Sequence, residues 1–418
     1  MALSKRTNTI AAIDVGTTKI CAIVGRRDEG GALKILGHGF SESQGLRKGV
    51  VVNLAETVRS IRRSVDEAEA RAEVPIQRVY VGVGGAHVRG CNGTGAVEVR
   101  GKNNEICDED ILASIDEAKR AEISPDQEIV HVLPQDFTVD SQQGIENPVG
   151  MVGHRLQANI HVVTSSAAIT QNLVNAVNKA GMAVIKTVMQ QLASGEAILS
   201  RDEKDLGAIV LDIGGGTTDL AYYRDGGIWH SEAFPIGGGH FTRDIAVGLR
   251  TPIGDAEQLK RSYGCAVATM VPREEMVEVP GVGGRDPRTV QRELLCEIIQ
   301  ARAEEMLNLI AHSIRRCTQD GELVGGVVLA GGGALLEGID VLAERIFKVP
   351  VRVGYPVGLE AAESELCNPI FATAVGLLLF GSQQPSSLDR MVTSPPVPSG
   401  LLARSSSRMR GWLYQLLA

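Results

Sequence analysis

Apolar and polar positions follow two rhythms along this chain, and their order predicts its elements. Residues 9–25 hold one apolar run ending in Asp14, a Val15-Gly16-Thr17-Thr18-Lys19 turn, and a second apolar run, which predicts two strands joined tightly. Residues 53–72 switch to a helical period, with Asn53 as cap and Val58, Ile61 and Val65 on one face. Pro75 ends that helix, and the run from Arg78 predicts a strand and an exit loop. From about 86 to 161 the texture changes. Short β-like runs (Ala96–Arg100, Ile129–Leu133, Phe137–Val139), an acidic helix at 108–122 and loops holding Pro125, Pro134 and Pro148 predict an inserted α+β subdomain. The main pattern resumes at Asn159, with a helix from Ser165 or Ser166 to Gly181 and a strand and helix over 184–200.

Residues 207–220 repeat the opening device: an apolar run enters Asp212, and Gly214, Gly215, Gly216, Thr217 and Thr218 follow. Strands then lead to a second glycine run at 237–239, with helices starting at Thr242 and Pro252. Strand-like and loop-like residues fill 265–283. A long amphipathic helix is predicted over 288–317, burying Leu295, Ile298, Ile299, Met306, Leu309 and Ile310. A third strand-to-glycine turn at 324–336 contains Gly331, Gly332 and Gly333; a helix to Phe347 and an apolar helix at 370–380 complete the pattern. Two copies of a strand–Asp–turn device about 200 residues apart predict a duplicated α/β domain facing itself across a cleft.

Composition narrows this picture. A chain of 418 residues is expected to hold two to four domains. With 44% apolar and 22% charged residues it has the balance of a soluble globular protein, and its 48 glycines suit many tight turns. A net charge of −8 speaks against general nucleic-acid binding. Seven scattered cysteines without metal spacing, and an N-terminus without an apolar core, point to a reducing cytoplasm. No continuous apolar window reaches the 18 residues of a membrane span. Residues 382–407 are rich in Ser, Pro, Arg and Gly and predict a flexible tether. Beyond it, Met409, Trp412, Leu413, Leu416 and Leu417 form one apolar stripe bordered by Arg408 and Arg410. A helix of that kind lies in an anionic membrane surface, the other reading being a helix docked on the protein's own body.

The glycine turns carry the candidate chemistry. Glycine lets backbone N–H groups approach a phosphate, threonine hydroxyls add donors, and an aspartate can hold a cation or a water. None of the turns completes G-x-G-x-x-G or the Walker pattern. What remains is a nucleotide held between two halves, its phosphates pinched by 14–19 and 212–218. Asp14 and Asp212 could hold Mg2+ through water; taken singly, either could equally be a turn-capping carboxylate. The histidines show no HExxH spacing, and Ala193-Ser194-Gly195 is not a nucleophile elbow.

Asp14-Val-Gly-Thr-Thr-Lys, Asp212-Ile-Gly-Gly-Gly-Thr-Thr-Asp and Leu329-Ala-Gly-Gly-Gly-Ala resemble the two phosphate motifs and the adenosine motif of the actin/Hsp70/sugar-kinase ATPases. Within that group the chain most resembles the FtsA family, bacterial division proteins that anchor FtsZ filaments to the membrane. Four features carry this: Phe234-Pro-Ile-Gly-Gly-Gly-His with Asp244-Ile-Ala, the segment Asp255–Gly264, the 86–161 insert, and the tethered C-terminal helix. The resemblance implies a two-lobed, ribonuclease-H-like duplicated α/β fold. Subdomain 1A would comprise 8–85, 162–200 and 363–382, and 1C would be 86–161. Subdomain 2A would comprise 201–229 and 323–362, and 2B would be 230–322, followed by a linker at 383–405 and a membrane helix at 406–418.

The same resemblance implies ATP with Mg2+. Gly16, Thr17, Thr18 and Lys19 would meet the β- and γ-phosphates opposite Gly214, Gly215, Gly216, Thr217 and Thr218, with Gly238 nearby. Glu257 and Lys260 would hold ribose and adenine, and Gly331, Gly332 and Gly333 would let the backbone lie against adenine and α-phosphate. Related ATPases often carry a Glu near Met189, where this chain has Gln190 and Gln191, with Glu196 later. Asp14, Gln191, Glu196 and Asp212 are the catalytic candidates, none of them assigned. Strong ATP binding with slow or undetectable turnover is therefore expected. Implied partners are the acidic FtsZ C-terminal peptide at Arg285, Arg288, Arg292 and Arg302 of 2B, a second copy in filaments, other division proteins at 1C, and anionic lipid. A solvated helix face is the plain reading of those arginines. The implied location is peripheral, on the cytoplasmic face of the inner membrane at the division septum. Rival readings are a PilM-like pilus scaffold and an active chaperone- or kinase-type ATPase.

Overall fold

The computed structural model describes residues 9–28, 33–120, 123–318, 323–358 and 364–384. Strands β1 (Thr9–Val15) and β2 (Lys19–Arg27) form the expected hairpin, pairing Asp14 with Cys21 across it. Strand β3 (Leu33–Glu42) follows, then the short pair β4 (Leu46–Arg47) and β5 (Val50–Val51). Helix α1 (Leu54–Ala72) starts where the Asn53 side chain accepts from Glu56 N at 3.3 Å and stops at left-handed Glu73, just before Pro75. Strand β6 (Arg78–Val83) runs parallel to β1.

The insert leaves here. It comprises β7 (Val88–Glu98), α2 (Asp108–Lys119), β8 (Gln127–Val139), β9 (Gln142–Ile145) and β10 (Arg155–Ser166), with sheet order β7-β10-β8-β9. Its strands are longer than the short runs predicted. Pro134 interrupts the periodicity but is absorbed where the β8–β10 register shifts, so one strand continues through it. The run from Asn159 lies within β10 and pairs with β7 and β8, whereas the pattern assigns it to the main fold.

Helix α3 (Ala167–Lys179), strand β11 (Ala183–Met189), helix α4 (Gln190–Ile198) and α5 (Arg201–Leu206) lead to the second lobe. That lobe opens with β12 (Ala208–Ile213), β13 (Thr218–Arg224) and β14 (Gly227–Phe234). Helix α6 (Gly238–Gly248) begins inside the glycine run, four residues before the predicted start, because the turn is itself the first helical turn. Then come α7 (Ile253–Tyr263), the hairpin β15 (Met276–Val279) and β16 (Arg288–Gln291), and α8 (Arg292–Cys317). The predicted helix over 288–317 thus gives up its first turn to β16. Its apolar face also differs from the expected set: Leu309 is 49% exposed and Ile298 only half-buried. Strand β17 (Gly326–Ala330), helix α9 (Ile339–Phe347), strand β18 (Val351–Val353) and helix α10 (Ala372–Gln383) complete the described chain.

The duplication is explicit in the sheets. The first lobe has order β11-β6-β1-β2-β3 and the second β18-β17-β12-β13-β14. In each, the aspartate-ending strand pairs antiparallel with the next strand and parallel with a later one. Helices α4 and α10 pack closely beside these sheets, and α10 is buried on nearly every side, including Val375, Leu377 and Leu378. Burying each of those side chains contributes about 1.5–3 kcal/mol. Gly376 permits the approach: a Cβ there would lie 1.7 Å from the Ala193 carbonyl oxygen.

Candidate functional site

Both hairpin turns are closed by the same hydrogen bond: Gly16 N donates to Lys19 O at 3.0 Å, and Gly214 N to Thr217 O at 2.9 Å. The turns meet across the cleft. A Cβ on Gly215 would come within 2.3 Å of Thr18, and one on Gly216 within 2.9 Å of Thr17 Oγ1, so side chains cannot replace these glycines without displacing a wall. Gly238 N and Gly239 N donate to Gly214 O and Gly215 O at 2.9 and 2.8 Å, stacking the second glycine run on the first. Gly331, with φ +77°, passes so near Asp212 that a Cβ would lie 2.3 Å from Oδ1. Gly332 has space beside it and Gly333 packs on Ile213.

Three buried carboxylates lie among these turns. Asp14 accepts from Gln190 Nε2 at 2.9 Å and stands 3.9 Å from Lys19 Nζ. Asp212 accepts from Ser194 Oγ at 2.7 Å and Thr373 Oγ1 at 3.1 Å. Asp219, opposite Asp212 in the hairpin, accepts from Thr217 Oγ1 at 3.0 Å and Gln191 Nε2 at 3.3 Å. Burial pushes Asp14 up to about 6, eased by Lys19 and reinforced by the Asp212 charge. Burial pushes Asp219 up to about 7, again reinforced by Asp212, and raises Asp212 itself. Lys19, which also donates to Ile370 O and sits 4.6 Å over the Phe371 ring, offers one positive charge against them.

Hard oxygen donors short of positive charge suit a hydrated Mg2+. Among the described residues no three acidic, histidine or cysteine groups converge as direct ligands. Asp14 and Asp212 would therefore act through water. Beside the second glycine run, Lys260 Nζ bonds Glu257 at 2.7 Å, Gly238 O at 3.1 Å and Thr242 Oγ1 at 3.0 Å, tying α7 to the glycine turn. Burial opposes ionisation of Glu257, but its bonds from Lys260 and Thr242 hold it below the usual carboxylate range.

Asp14, Gln191 and Asp212 are thus brought together with the turn residues. Glu196 is not: it pairs with Lys204 of α5 at 2.8 Å. The sequence reading did not single out Asp219, Ser194, Thr373 or Lys48. Asp219 could have been found from the hairpin, since it faces Asp212 in register. Lys48, whose Nζ donates to Pro235 O at 2.9 Å, follows no periodicity. The candidate partner arginines are mostly engaged. Arg288 donates to Leu249 O at 2.6 Å, Arg292 bonds Glu275 and Glu337 at 2.9 and 2.8 Å, and Arg302 bonds Asp244 at 3.1 Å, while Arg285 is exposed. The apolar stripe of 409–417, Arg408, Arg410 and nearly all of the linker lie outside the described residues, among which no helix is long and apolar enough to cross a membrane.

Residues 209–376 match the family model described as cell division protein FtsA, and residues 85–164 the one described as the SHS2 domain inserted in FtsA. The chain is 41% identical over 377 residues to cell division protein FtsA of Pseudomonas aeruginosa, covering 90% of each chain. Among solved structures it is similar to the PilM–PilN type IV pilus biogenesis complex, with TM-score 0.64 and 18% identity over 89% of this chain and 98% of the other. It is also similar to MreB5 of Spiroplasma citri bound to ADP, with TM-score 0.55 and 15% identity over 93% and 99%. The fold is that of the actin-like ATPases, with an inserted SHS2 domain.

Proposed function

Because this chain belongs to the FtsA family of cell division proteins, we propose that it is an ATP-binding polymer subunit that tethers FtsZ filaments to the cytoplasmic membrane at the septum. The observation that carries this is the pair of glycine turns brought face to face around buried acids. Gly16 and Gly214–Gly216 would present N–H groups to the phosphates, Thr17, Thr18, Thr217 and Thr218 their hydroxyls, and Lys19 a point charge. Bound Mg2+ supplies the charge that offsets both the phosphates and the raised carboxylates. Asp14 and Asp212 would orient its water shell, while Glu257 and Lys260 border the nucleoside side. Gln190 and Gln191 stand where a base would be needed, and an amide orients water without accepting its proton. The cleft therefore reads as a holding and sensing site whose closure equilibrium shifts with nucleotide.

The C-terminal stripe would bind lipid weakly as a single copy, so stable attachment requires many subunits side by side. Self-association into filaments supplies that multiplicity and matches the fold. Recruitment of FtsZ would use subdomain 2B, where Arg285 is an exposed cation; Arg292 and Arg302 would first have to exchange their internal acids for the peptide's. Later division proteins would meet the insert. Pelleting with anionic vesicles, ATP and FtsZ tests the whole reading. FtsZ should sediment with vesicles only when the full chain is present, and deleting 405–418 should release both proteins. Unchanged sedimentation after that deletion would refute the tether.

A further inference from the structure

The insert touches both walls of the cleft. On the first-lobe side, His131 of β8 accepts through Nε2 from Met189 N at 3.0 Å. Met189 ends β11 and directly precedes Gln190 and Gln191, whose amides hold Asp14 and Asp219. On the second-lobe side, His161 of β10 meets Ser231 Oγ through Nε2 at 2.8 Å and Asn92 Oδ1 through Nδ1 at 2.6 Å. Asn92 and Gln135 also donate side-chain amides to Trp229 O, at 3.2 and 3.1 Å. Ser231 and Trp229 belong to β14, which runs into Pro235, the acceptor for Lys48, and then into Gly237–Gly239, bonded to the phosphate turn.

Both histidines are buried, and burial pushes each down to about 3, so each ring is neutral. Their partners fix the tautomers. His131 Nε2 accepts an amide proton, and His161 donates from Nδ1 to Asn92 and accepts at Nε2 from Ser231. Gly90 completes the seam: a Cβ there would lie 2.2 Å from Ser231 Oγ and 2.5 Å from His161 Nε2. An outgrowth of the first lobe would need only the His131 anchor. The second anchor crosses to the other lobe, where side-chain hydrogen bonds worth about 1 kcal/mol each add direction to an apolar cluster that Val88 and Leu133 of the insert share with Ile228 of β14.

We propose that the insert is coupled to the nucleotide cleft at these two points, His131 on Met189 and the His161–Ser231 latch on β14, so that cleft closure reorients the insert's outer surface. This rests on the nucleotide reading above. A change in lobe angle must either shear β14 along β7 and β10 or carry the insert with it. The latch thereby makes the insert's surface, the candidate docking face for other division proteins, dependent on nucleotide. Coupling of this kind is reciprocal, so a partner seated on the insert would alter nucleotide affinity by the same factor.

Hydrogen exchange on the full chain, with and without Mg2+ and ATP, tests it, with ATP binding measured on the same samples. In the unaltered chain ATP should change exchange in 88–98 and 227–234 by about fivefold or more. Ser231→Ala removes the latch hydroxyl and Gly90→Ala wedges the seam by a different route. Both should lose the response in 88–98 while ATP still binds. A response that survives both substitutions, or an unaltered chain that binds ATP without any response in 88–98, would overturn the coupling alone. Failure of the unaltered chain to bind ATP would overturn the nucleotide reading and the coupling together. Thermal unfolding of each variant separates loss of the latch from loss of the fold.

Discussion

At the scale of single residues, the buried acids decide the behaviour of the cleft. A carboxyl raised to about 7 when folded and near 3.8 when unfolded binds its proton more tightly in the folded state. Its contribution to stability therefore falls as pH rises through that window. Asp219→Asn has no proton to lose, and Gln191 can turn its unpartnered Oε1 toward the new amide. Without nucleotide, that variant should gain stability over the parent between pH 4 and pH 8, by on the order of 2 kcal/mol in denaturant titrations. Glycines offer a second, steric test. Gly331→Ala sets a methyl against Asp212 in a left-handed backbone and should cost about 1–3 kcal/mol and at least tenfold in ATP affinity. At Gly332 the nearest atom to a new Cβ is 3.8 Å away, so Gly332→Ala should leave the melting temperature unchanged and weaken ATP binding only. Calorimetry on the pair distinguishes structural from ligand-facing glycine.

At the scale of elements, α4 and α10 do what periodicity alone could not reveal. Their crossing depends on Gly376 lying against the Ala193 carbonyl, so Gly376→Ala should destabilise the chain by about 3 kcal/mol in thermal melts, far more than an exposed helical Gly→Ala. Hairpins ending in aspartate and helices with a capping Asn were legible because their signals are local. Strand lengths in the insert were not, because Pro134 breaks the period where a bulge absorbs it. The start of α8 was missed for a related reason: residues 288–291 fit a helical stripe, but pairing with β15 decides them. Tertiary pairing overrides a four-residue propensity.

At the scale of the whole molecule, the two glutamines beside the carboxylates set the expected rate. Turnover should fall far below the typical enzyme value of about 10 s−1, with ATP governing assembly instead; single-turnover hydrolysis measured on assembled filaments checks this. The duplicated device, the insert's place between β6 and α3 and the family resemblance were all readable from motif order, since each depends on a contiguous stretch.

What residue order alone determined is the repeated strand–Asp–glycine turn, the presence of two lobes and the amides Gln190 and Gln191 directly after Met189. Those follow from covalent neighbours, whose geometry is set by glycine, threonine and aspartate within a single turn. Only the tertiary structure decided which acids share a site, that Glu196 is turned away to Lys204, and that His131 and His161 tie the insert to opposite walls. Each of those is a long-range approach with no periodic trace, fixed by how the sheets and helices pack.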